Sequence, residues 1–261
     1  MVRIGAVGYL NARPLTWALD RTTNHWQVRY DVPAVCARLL YDGEVDLGLV
    51  SSIEYLRSDA YRFVSGVAIG SRGPVASVAV FTRRALKDIR HIALDTSSRT
   101  AVTLVRVLCK YHFGIEPEFV PHGPDVTAMV RDYDAGLLIG DPAFDVDAAA
   151  LGLTKIDLGE EWTKMTTLPF VYAAWTGRAG AIGADYVRRL QDASAEGVAS
   201  YQAIADEYGK GDAATARRAL AYLRDNMRYG FGADEAAGLQ LFLDYAADMG
   251  LAPTRRRIEY F

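Results

Sequence analysis

The stretch VRIGAVGYLNARPL, residues 2–15, decides the fold of this 261-residue chain. Its first six residues predict a short apolar strand, and Pro14 is typical of the first turn of a helix. Asn11 stands where an N-cap would accept hydrogen bonds from the first free amides of that helix. A polar turn after the first strand of a parallel sheet offers unpaired N–H groups to an anion. The stretch therefore predicts the start of an α/β fold with a binding turn.

Composition narrows the class of protein. Hydrophobic residues make up 51% and charged residues 23% of the chain, which is typical of a globular protein with a large core. The net charge of −3 argues against a nucleic-acid surface. Residues 1–7 lack the regions of a signal peptide, and no apolar run approaches the ~20 residues that cross a bilayer. We expect a cytoplasmic protein without membrane insertion.

The two cysteines, Cys36 and Cys109, lie in apolar helical contexts. We expect buried free thiols rather than a disulfide.

The first half of the chain alternates strands and helices. Predicted strands and helices follow in the order 2–7, 12–20, 27–31, 33–41 and 45–50. This βαβαβ order implies parallel strands joined by helical crossovers. A short helix is predicted over 52–57, and the segments 61–70 and 75–82 are apolar and β-rich.

A second, similar series begins near residue 90. Its predicted strands are 90–94, 117–120, 135–140, 153–157 and 169–176. Its predicted helices are 99–112, 124–131 and 142–150, and the chain after about 183 is predicted to be helical throughout.

Two α/β series predict two lobes around a cleft. With the strands 75–82 and 169–176 as crossovers, we expect lobe 1 to contain residues 1–80 and 177–261, and lobe 2 to contain residues 81–176. Such a cleft gathers strand carboxyl ends and helix amino ends, which suits a small anion.

Four polar clusters directly follow predicted strands. They are Tyr9 to Arg13, Ser51 to Tyr55, Asp95 to Thr100, and Gly140 to Pro142. Serine and threonine at such turns are common N-caps, so helix capping explains any one cluster alone. Together, the strand-end rule directs all four to one crevice and predicts a cleft that binds a carboxylate or phosphate.

Several chemical signatures are missing from the sequence. It has no G-x-x-x-x-G-K-[ST] loop, no G-x-G-x-x-G and no G-x-S-x-G, so nucleotide binding and acyl hydrolysis have no direct support. The four histidines are scattered and the cysteines form no C-x-x-C pair, which argues against a metal site. We expect no metal and no cofactor.

Individual charged residues leave alternatives open. Asp141 either caps the helix predicted at 142–150 or lines the cleft. Arg99 opens a helix, where a cation opposes the local dipole, and this conflict favours a place facing an anionic ligand. Glu54 is explained better as a first-turn helix residue than as an acid or base.

Several motifs resemble those of the MqnA family of menaquinone biosynthesis, the chorismate dehydratases of the futalosine route. The matching stretches are GYLNARPL (8–15), SSIEY (51–55), DTSSRT (95–100), LLIGD (137–141), DLGEEW (157–162) and TLPFVYAAW (167–175). The resemblance implies a fold like type II periplasmic binding proteins, in agreement with the two lobes predicted above. One departure is Gly8, where a serine is expected.

The resemblance also implies a reaction: loss of water from chorismate to give 3-[(1-carboxyvinyl)oxy]benzoate, without metal or nucleotide. The candidate catalytic residues are Asn11, Ser77 and Asp141. The candidate substrate-binding residues are Tyr9, Arg13, Ser51, Ser52, Ser97, Ser98, Arg99, Thr100 and Pro169. Either Asp141 or the enolpyruvyl carboxylate of the substrate could remove the proton, and the choice stays open.

Three other functions compete with this hypothesis. A non-catalytic solute-binding protein would use the same cleft for a small carboxylate. The sister dehypoxanthine futalosine cyclase shares the fold but opens with a different sequence. The effector domain of a transcription regulator would need a helix-turn-helix, and none precedes the first strand.

Overall fold

The structure is a computed structural model that describes residues 1–21 and 25–261. Its strands are β1 (Val2–Val7), β2 (Trp26–Asp31), β3 (Leu47–Ser51), β4 (Tyr61–Ser71), β5 (Val78–Thr82), β6 (His91–Asp95), β7 (Glu118–His122), β8 (Ala135–Ile139), β9 (Thr154–Asp157), β10 (Phe170–Arg178) and β11 (Arg228–Phe231). Its α-helices are α1 (Arg13–Thr16), α2 (Pro33–Asp42), α3 (Arg99–Leu108), α4 (Val126–Asp132), α5 (Gly140–Phe144), α6 (Leu158–Thr166), α7 (Ala184–Ala199), α8 (Tyr201–Gly209), α9 (Ala213–Ala221) and α10 (Ala233–Asp248).

The strands form two sheets. The six-stranded sheet has the order β11-β4-β10-β3-β1-β2, and the five-stranded sheet has the order β7-β6-β8-β5-β9. β1 pairs in parallel with β2 and β3, and β6 pairs in parallel with β7 and β8. The two α/β series of the sequence therefore correspond to the two sheets.

Strand pairing shows where the chain passes between the sheets. β5 pairs with β8 and β9, and β10 pairs with β3 and β4. The predicted lobe bounds differ from this pairing: they divide β5 at residue 80 and group most of β10 with the second series. An apolar run in a sequence indicates that a strand is buried, but it does not indicate which sheet the strand joins. We propose the loops 72–77 and 167–169 as the lobe boundaries.

The first of these loops is held in a strained conformation. Ala76 has φ 63, a left-handed conformation that costs a non-glycine residue about 1–2 kcal/mol. The buried Asp157 carboxylate accepts from the amides of Val75 and Ala76 at 3.0 and 2.6 Å, and Lys155 donates to the Ala76 carbonyl at 2.5 Å. These contacts fix the chain just before β5, which begins beside the cleft.

Several predicted helix ends are confirmed. α2 begins at Pro33 and is followed by Gly43 at φ 75, a left-handed C-cap. α3 continues into a π-helical turn, Cys109–Phe113, and Gly114 at φ 65 closes it.

Other local predictions are wrong. The helix predicted over 12–20 is a 3₁₀ turn (Leu10–Ala12), a single α-helical turn (α1) and a second 3₁₀ turn (Leu19–Arg21). Asn11 is not an N-cap, because it lies inside the first 3₁₀ turn and its side chain caps neither that turn nor α1. The helix predicted over 142–150 is the shorter α5, which begins two residues earlier, at Gly140, and has its C-cap at Asp145.

The carboxyl-terminal part is not helical throughout. β11 forms an edge strand against β4, and residues 251–261 run without a helix to an isolated bridge between Tyr260 and Phe63. Helix α6 was not predicted from periodicity; the Asp157 side chain caps it by accepting from the amides of Gly159 and Glu160.

The larger hydrophobic core includes residues of both sheets and of their helices, and a smaller core in the second lobe contains Phe81, Met129 and Leu138. Trp162 of α6 packs edge-on against Phe170 of β10, which contacts Phe242 of α10 in the same way. Cys36 and Cys109 are buried free thiols, as predicted, and burial raises both pKa values to about 12. Among the helices of the described residues, none has the length and apolar character needed to span a bilayer.

Candidate active site

A cleft lies between the two sheets, at the carboxyl ends of several of their strands. Its lining residues are Val7, Tyr9, Asn11, Pro33, Ser51, Ile69, Val78, Ser98, Ile139, Gly140, Tyr172 and Ala173. The cavity that they line has a volume of about 50 Å³. An apolar cavity of about 150 Å³ can hold benzene, so the cleft must widen to admit a six-membered ring.

All four predicted polar turns reach this cleft. Tyr9 and Asn11 follow β1, Ser51 ends β3, Ser98 follows β6, and Gly140 follows β8. This convergence is the strand-end arrangement expected for open α/β sheets.

Two hydroxyl groups meet across the cleft. Ser51 Oγ of the first lobe lies 3.2 Å from Ser98 Oγ of the second. Ser98 also caps α3, because its Oγ accepts from the Ala101 amide at 3.4 Å. The capping interpretation and the cleft interpretation therefore both hold for this serine, and the pair must separate or share a ligand when the cleft is occupied.

A second layer of hydroxyl contacts lies behind that pair. Ser52 Oγ donates to the Val171 carbonyl at 2.8 Å and lies 3.2 Å from Thr100 Oγ1. Thr100 Oγ1 in turn accepts from the Ile53 amide at 3.1 Å. Ser52 and Thr100 are fully buried and do not line the cleft, so they join the lobes from within.

Asn11 presents a free amide to the cleft. The backbone carbonyl oxygen of Asn11 accepts from the Tyr229 hydroxyl at 3.0 Å, which fixes the backbone of the turn. Its side-chain amide has no hydrogen-bond partner within residues 1–21 and 25–261, which leaves two donors and one acceptor for a ligand.

Tyr9 supplies a neutral hydroxyl. Burial raises the pKa of its phenol, the carboxylates of Asp95 and Asp141 raise it further, and the nearby Ser97 hydroxyl opposes the shift. The phenol therefore stays protonated at neutral pH and can donate a hydrogen bond. Ser97 Oγ itself is buried without a partner among the described residues and does not line the cleft.

Asp141 joins the second lobe to the turn after β1. Its Oδ1 accepts from the Leu10 amide at 2.9 Å. Neither of the two predicted places holds, because the Asp141 side chain does not cap α5 and does not line the cleft. Burial raises its pKa to about 6, and the hydrogen bond from Leu10 opposes that shift. Asp141 thus fixes the turn that carries Asn11.

Gly140 makes a close approach to Tyr9. Its φ is +64, and a Cβ at this position would lie 2.7 Å from Cδ2 of the Tyr9 ring. The absence of a side chain at Gly140 therefore determines where the Tyr9 ring sits.

Four other predicted residues lie away from the cleft lining. The buried Ser77 Oγ accepts from the Tyr222 hydroxyl at 2.7 Å, and Arg13 pairs with Glu207 at 2.9 Å. The buried Pro169 carbonyl accepts from Trp162 Nε1 at 3.2 Å. Arg99 lines a different cavity, described below.

The apolar part of the lining was not predicted from the sequence. Val7 and Ile139 are the last residues of β1 and β8, so the strand-end rule could have identified them. Ile69 and Ala173 are direct partners across β4 and β10, and finding them requires the register of these strands. Tyr172 lies beside them, with its hydroxyl 3.0 Å from Ser71 Oγ. These residues give the cleft an apolar wall for a ring.

Within the described residues, no group of three or more His, Cys, Asp or Glu side chains is placed to hold a metal ion. The cleft lining, as far as residues 1–21 and 25–261 form it, also contains no lysine or arginine. Hydrogen-bond donors in the lining are therefore neutral amide and hydroxyl groups.

Known proteins match both the sequence and the fold. A family model described as menaquinone biosynthesis matches residues 2–248. A chorismate dehydratase of Thermus thermophilus is 31% identical, and the match covers 96% of each chain.

Structural relatives share the two-lobed fold. The crystal structure of protein AF1704 from Archaeoglobus fulgidus superposes with a TM-score of 0.76 and 20% identity, over 96% of this chain and 98% of that one. The periplasmic aliphatic sulphonate binding protein SsuA from Escherichia coli gives a TM-score of 0.69 and 18% identity, over 98% and 95%. The predicted periplasmic-binding-protein-like fold is confirmed.

The six motifs that resemble the family lie within residues 8–175, and the family model matches almost the whole chain. The chain belongs to the menaquinone biosynthesis family and is a homologue of chorismate dehydratase.

Proposed function

We propose that this protein is a chorismate dehydratase, a hydro-lyase that converts chorismate to 3-[(1-carboxyvinyl)oxy]benzoate. The observation that carries the proposal is the convergence of Asn11, Ser51 and Ser98, from both lobes, on one apolar cleft. The near full-length similarity to the Thermus chorismate dehydratase supports the same activity.

The reaction needs few chemical groups. A proton leaves C3 of the ring, the electron pair of that C–H bond forms the new C3–C4 π bond, and the C4 hydroxyl departs. The ring becomes aromatic, which supplies a large driving force without a metal or nucleotide. The protein must therefore position a dicarboxylate, stabilise charge that develops on oxygen, and keep the enolpyruvyl ether intact.

The cleft can bind the substrate through neutral donors. In our proposal, Ser51 and Ser98 turn their hydroxyls from each other to one carboxylate, so that the ligand replaces a contact between the lobes. The apolar wall around Ile69, Ala173 and Tyr172 packs against the ring.

Asn11 is the proposed catalytic residue. Its free amide can donate to the departing C4 hydroxyl or to a carboxylate as negative charge grows there. Tyr9, on the same turn, offers a protonated phenol as a second donor.

For the proton, we propose the enolpyruvyl carboxylate of the substrate as the acceptor. Asp141 is outside the lining and its Oδ1 is engaged by the Leu10 amide, so we assign it to positioning the Asn11 turn. Ser77 has a related place, because its carbonyl accepts from the Gly140 amide at 2.8 Å. Both residues then act on the reaction through the lining turns.

The test is incubation of the purified, chelator-dialysed protein with chorismate, followed by mass spectrometry and absorbance. We expect a product lighter by one water that retains the enolpyruvyl ether. Chorismate that is bound but unchanged would contradict the dehydratase and support a solute-binding protein. Turnover of dehypoxanthine futalosine instead would support the sister cyclase.

A further inference from the structure

A second cavity is lined by other residues than the cleft. We call it the arginine cavity, because Arg57, Arg99 and Arg106 line it. About 440 Å³ of it is open to a water-sized molecule, against about 50 Å³ in the cleft. It is therefore roomy enough for a small organic ligand without any movement of the lobes.

The arginine cavity and the cleft have no lining residue in common. Ser51 and Ser98 line the cleft, whereas Glu54 and Arg99, a few residues further on, line the arginine cavity. Ser52 and Thr100, whose hydroxyls lie 3.2 Å apart, line neither the cleft nor the arginine cavity. Two motifs of the sequence thus contribute to two different sites.

The charges in the arginine cavity do not balance. Glu54, whose side chain is only 3% exposed, pairs with Arg57 at 3.1 Å and with Arg99 at 3.4 Å. Among the described residues it is the one acidic side chain in the lining, so the three arginines leave an excess of two positive charges.

Arg106 is the least satisfied of the three arginines. Its side chain has no ion pair or hydrogen bond within the described residues, and its Nε is buried without a partner. Its guanidinium lies 4.6 Å from the centre of the Phe119 ring, which orients the group but accepts no hydrogen bond from Nε. A buried N–H group without a hydrogen-bond acceptor is costly, and an anionic ligand within reach of Nε would remove that cost.

We propose that the arginine cavity binds a small organic dianion: an apolar body that carries two carboxylates or one phosphate. Guanidinium groups suit both anions because they donate in a fixed fork. Ile53, Val102 and Leu251 supply the apolar contacts for the body of the ligand. Since Arg57 follows β3 and Arg106 lies on α3, the ligand would touch both lobes.

Isothermal titration calorimetry with two probes, benzene-1,3-dicarboxylate and phenyl phosphate, tests this site. We expect at least one of them to bind the wild-type protein, and Arg57→Gln and Arg106→Gln each to weaken it at least tenfold. Arg106→Lys keeps the charge and should lose less affinity than Arg106→Gln. Arg217→Gln, an exposed arginine on α9 outside this lining, is the control for the lost charge and should bind as the wild type does.

Three further measurements show whether the probes bind in the arginine cavity and through their charge. Asn11→Ala should leave probe affinity unchanged, because it alters only the cleft, so the test does not depend on the proposed dehydratase activity. Inorganic phosphate and neutral benzamide should bind at least tenfold more weakly than the better probe. Absence of binding by both probes, unchanged affinity in Arg106→Gln, or loss of probe binding in Asn11→Ala would each overturn the proposal.

Discussion

The close approach of Gly140 to Tyr9 gives a prediction that links backbone geometry to activity. In Gly140→Ala, the new Cβ would lie 2.7 Å from Cδ2 and 2.8 Å from Cε2 of the Tyr9 ring, both well inside van der Waals contact. Because of this contact, the Tyr9 ring must move by several tenths of an ångström or more. Tyr9 and Asn11 lie on the same turn and both line the cleft, so we expect Asn11 to shift as well.

Two energetic costs add in this variant. Alanine at φ +64 costs about 1–2 kcal/mol, and overpacking a well-packed site costs about 1–3 kcal/mol more. Together they amount to about 2–5 kcal/mol, and at roughly 2–4 °C per kcal/mol for a chain of this size the melting temperature should fall by about 4–20 °C. Because a 1 Å misplacement near reacting groups can cost about 100-fold, kcat/KM should fall by at least about tenfold.

Gly152→Ala is the matched control. Gly152 has φ +62, almost the same as Gly140, but a Cβ there meets nothing within 4 Å. It should lose only about 1–2 kcal/mol of stability and keep full activity. The measurements are thermal melting and steady-state turnover of chorismate for both variants. Equal melting temperatures and equal kcat/KM in the two variants would refute the role of the Gly140–Tyr9 contact.

The remaining predictions concern four other positions. Asn11→Ala should lower kcat about 100- to 1000-fold, measured by product formation, and full activity would remove Asn11 from catalysis. Ser98→Ala should raise KM more than it lowers kcat, and the opposite split would place this hydroxyl in the chemical step. Gly197→Ala places a Cβ against the Pro14 carbonyl oxygen, well inside van der Waals contact, so thermal melting should show a loss of at least about 1–3 kcal/mol; an unchanged melting temperature would contradict the packing of α7 on α1.

Asp141→Asn tests both the proton transfer and the pH dependence of stability. The folded pKa of about 6 lies above the ordinary value of 3.8, so the folded protein holds this proton more tightly than the unfolded chain. The stability from this group is fully present below about pH 4 and is lost as pH rises through 6. Asp141→Asn removes that loss while its side-chain oxygen can still accept from the Leu10 amide, so thermal melts over pH 4 to 8 should flatten. Turnover should stay near the wild-type value, and a loss of 1000-fold would identify Asp141 as the base.

Much of the fold could be predicted because its signals are local. Pro33 and Gly43 mark both ends of α2, and the βαβαβ order implies the parallel pairing of β1 with β2 and β3. The sheet that a strand joins is not a local property. β5 and β10 are almost entirely buried and mostly apolar, so only the observed partners assign them to their sheets.

The site shows the same division between local and non-local information. The strand-end rule correctly brings the turns of Tyr9, Ser51, Ser98 and Gly140 together. It does not specify which way the next side chain turns: Ser98 faces the cleft, while its neighbour Arg99 faces the arginine cavity. The 3₁₀ turn at Leu10–Ala12 also removes Asn11 from the capping position and leaves its amide free, which no propensity of asparagine indicates.

The central claim is that neutral amide and hydroxyl groups from both lobes hold the substrate in the cleft. A crystal structure with 3-[(1-carboxyvinyl)oxy]benzoate bound tests it most directly. We predict that the product lies against Ile69 and Tyr172, with its oxygens within hydrogen-bond distance of Asn11, Ser51 and Ser98. Product bound only among the arginines of the second cavity, with the Ser51–Ser98 contact intact, would contradict the claim.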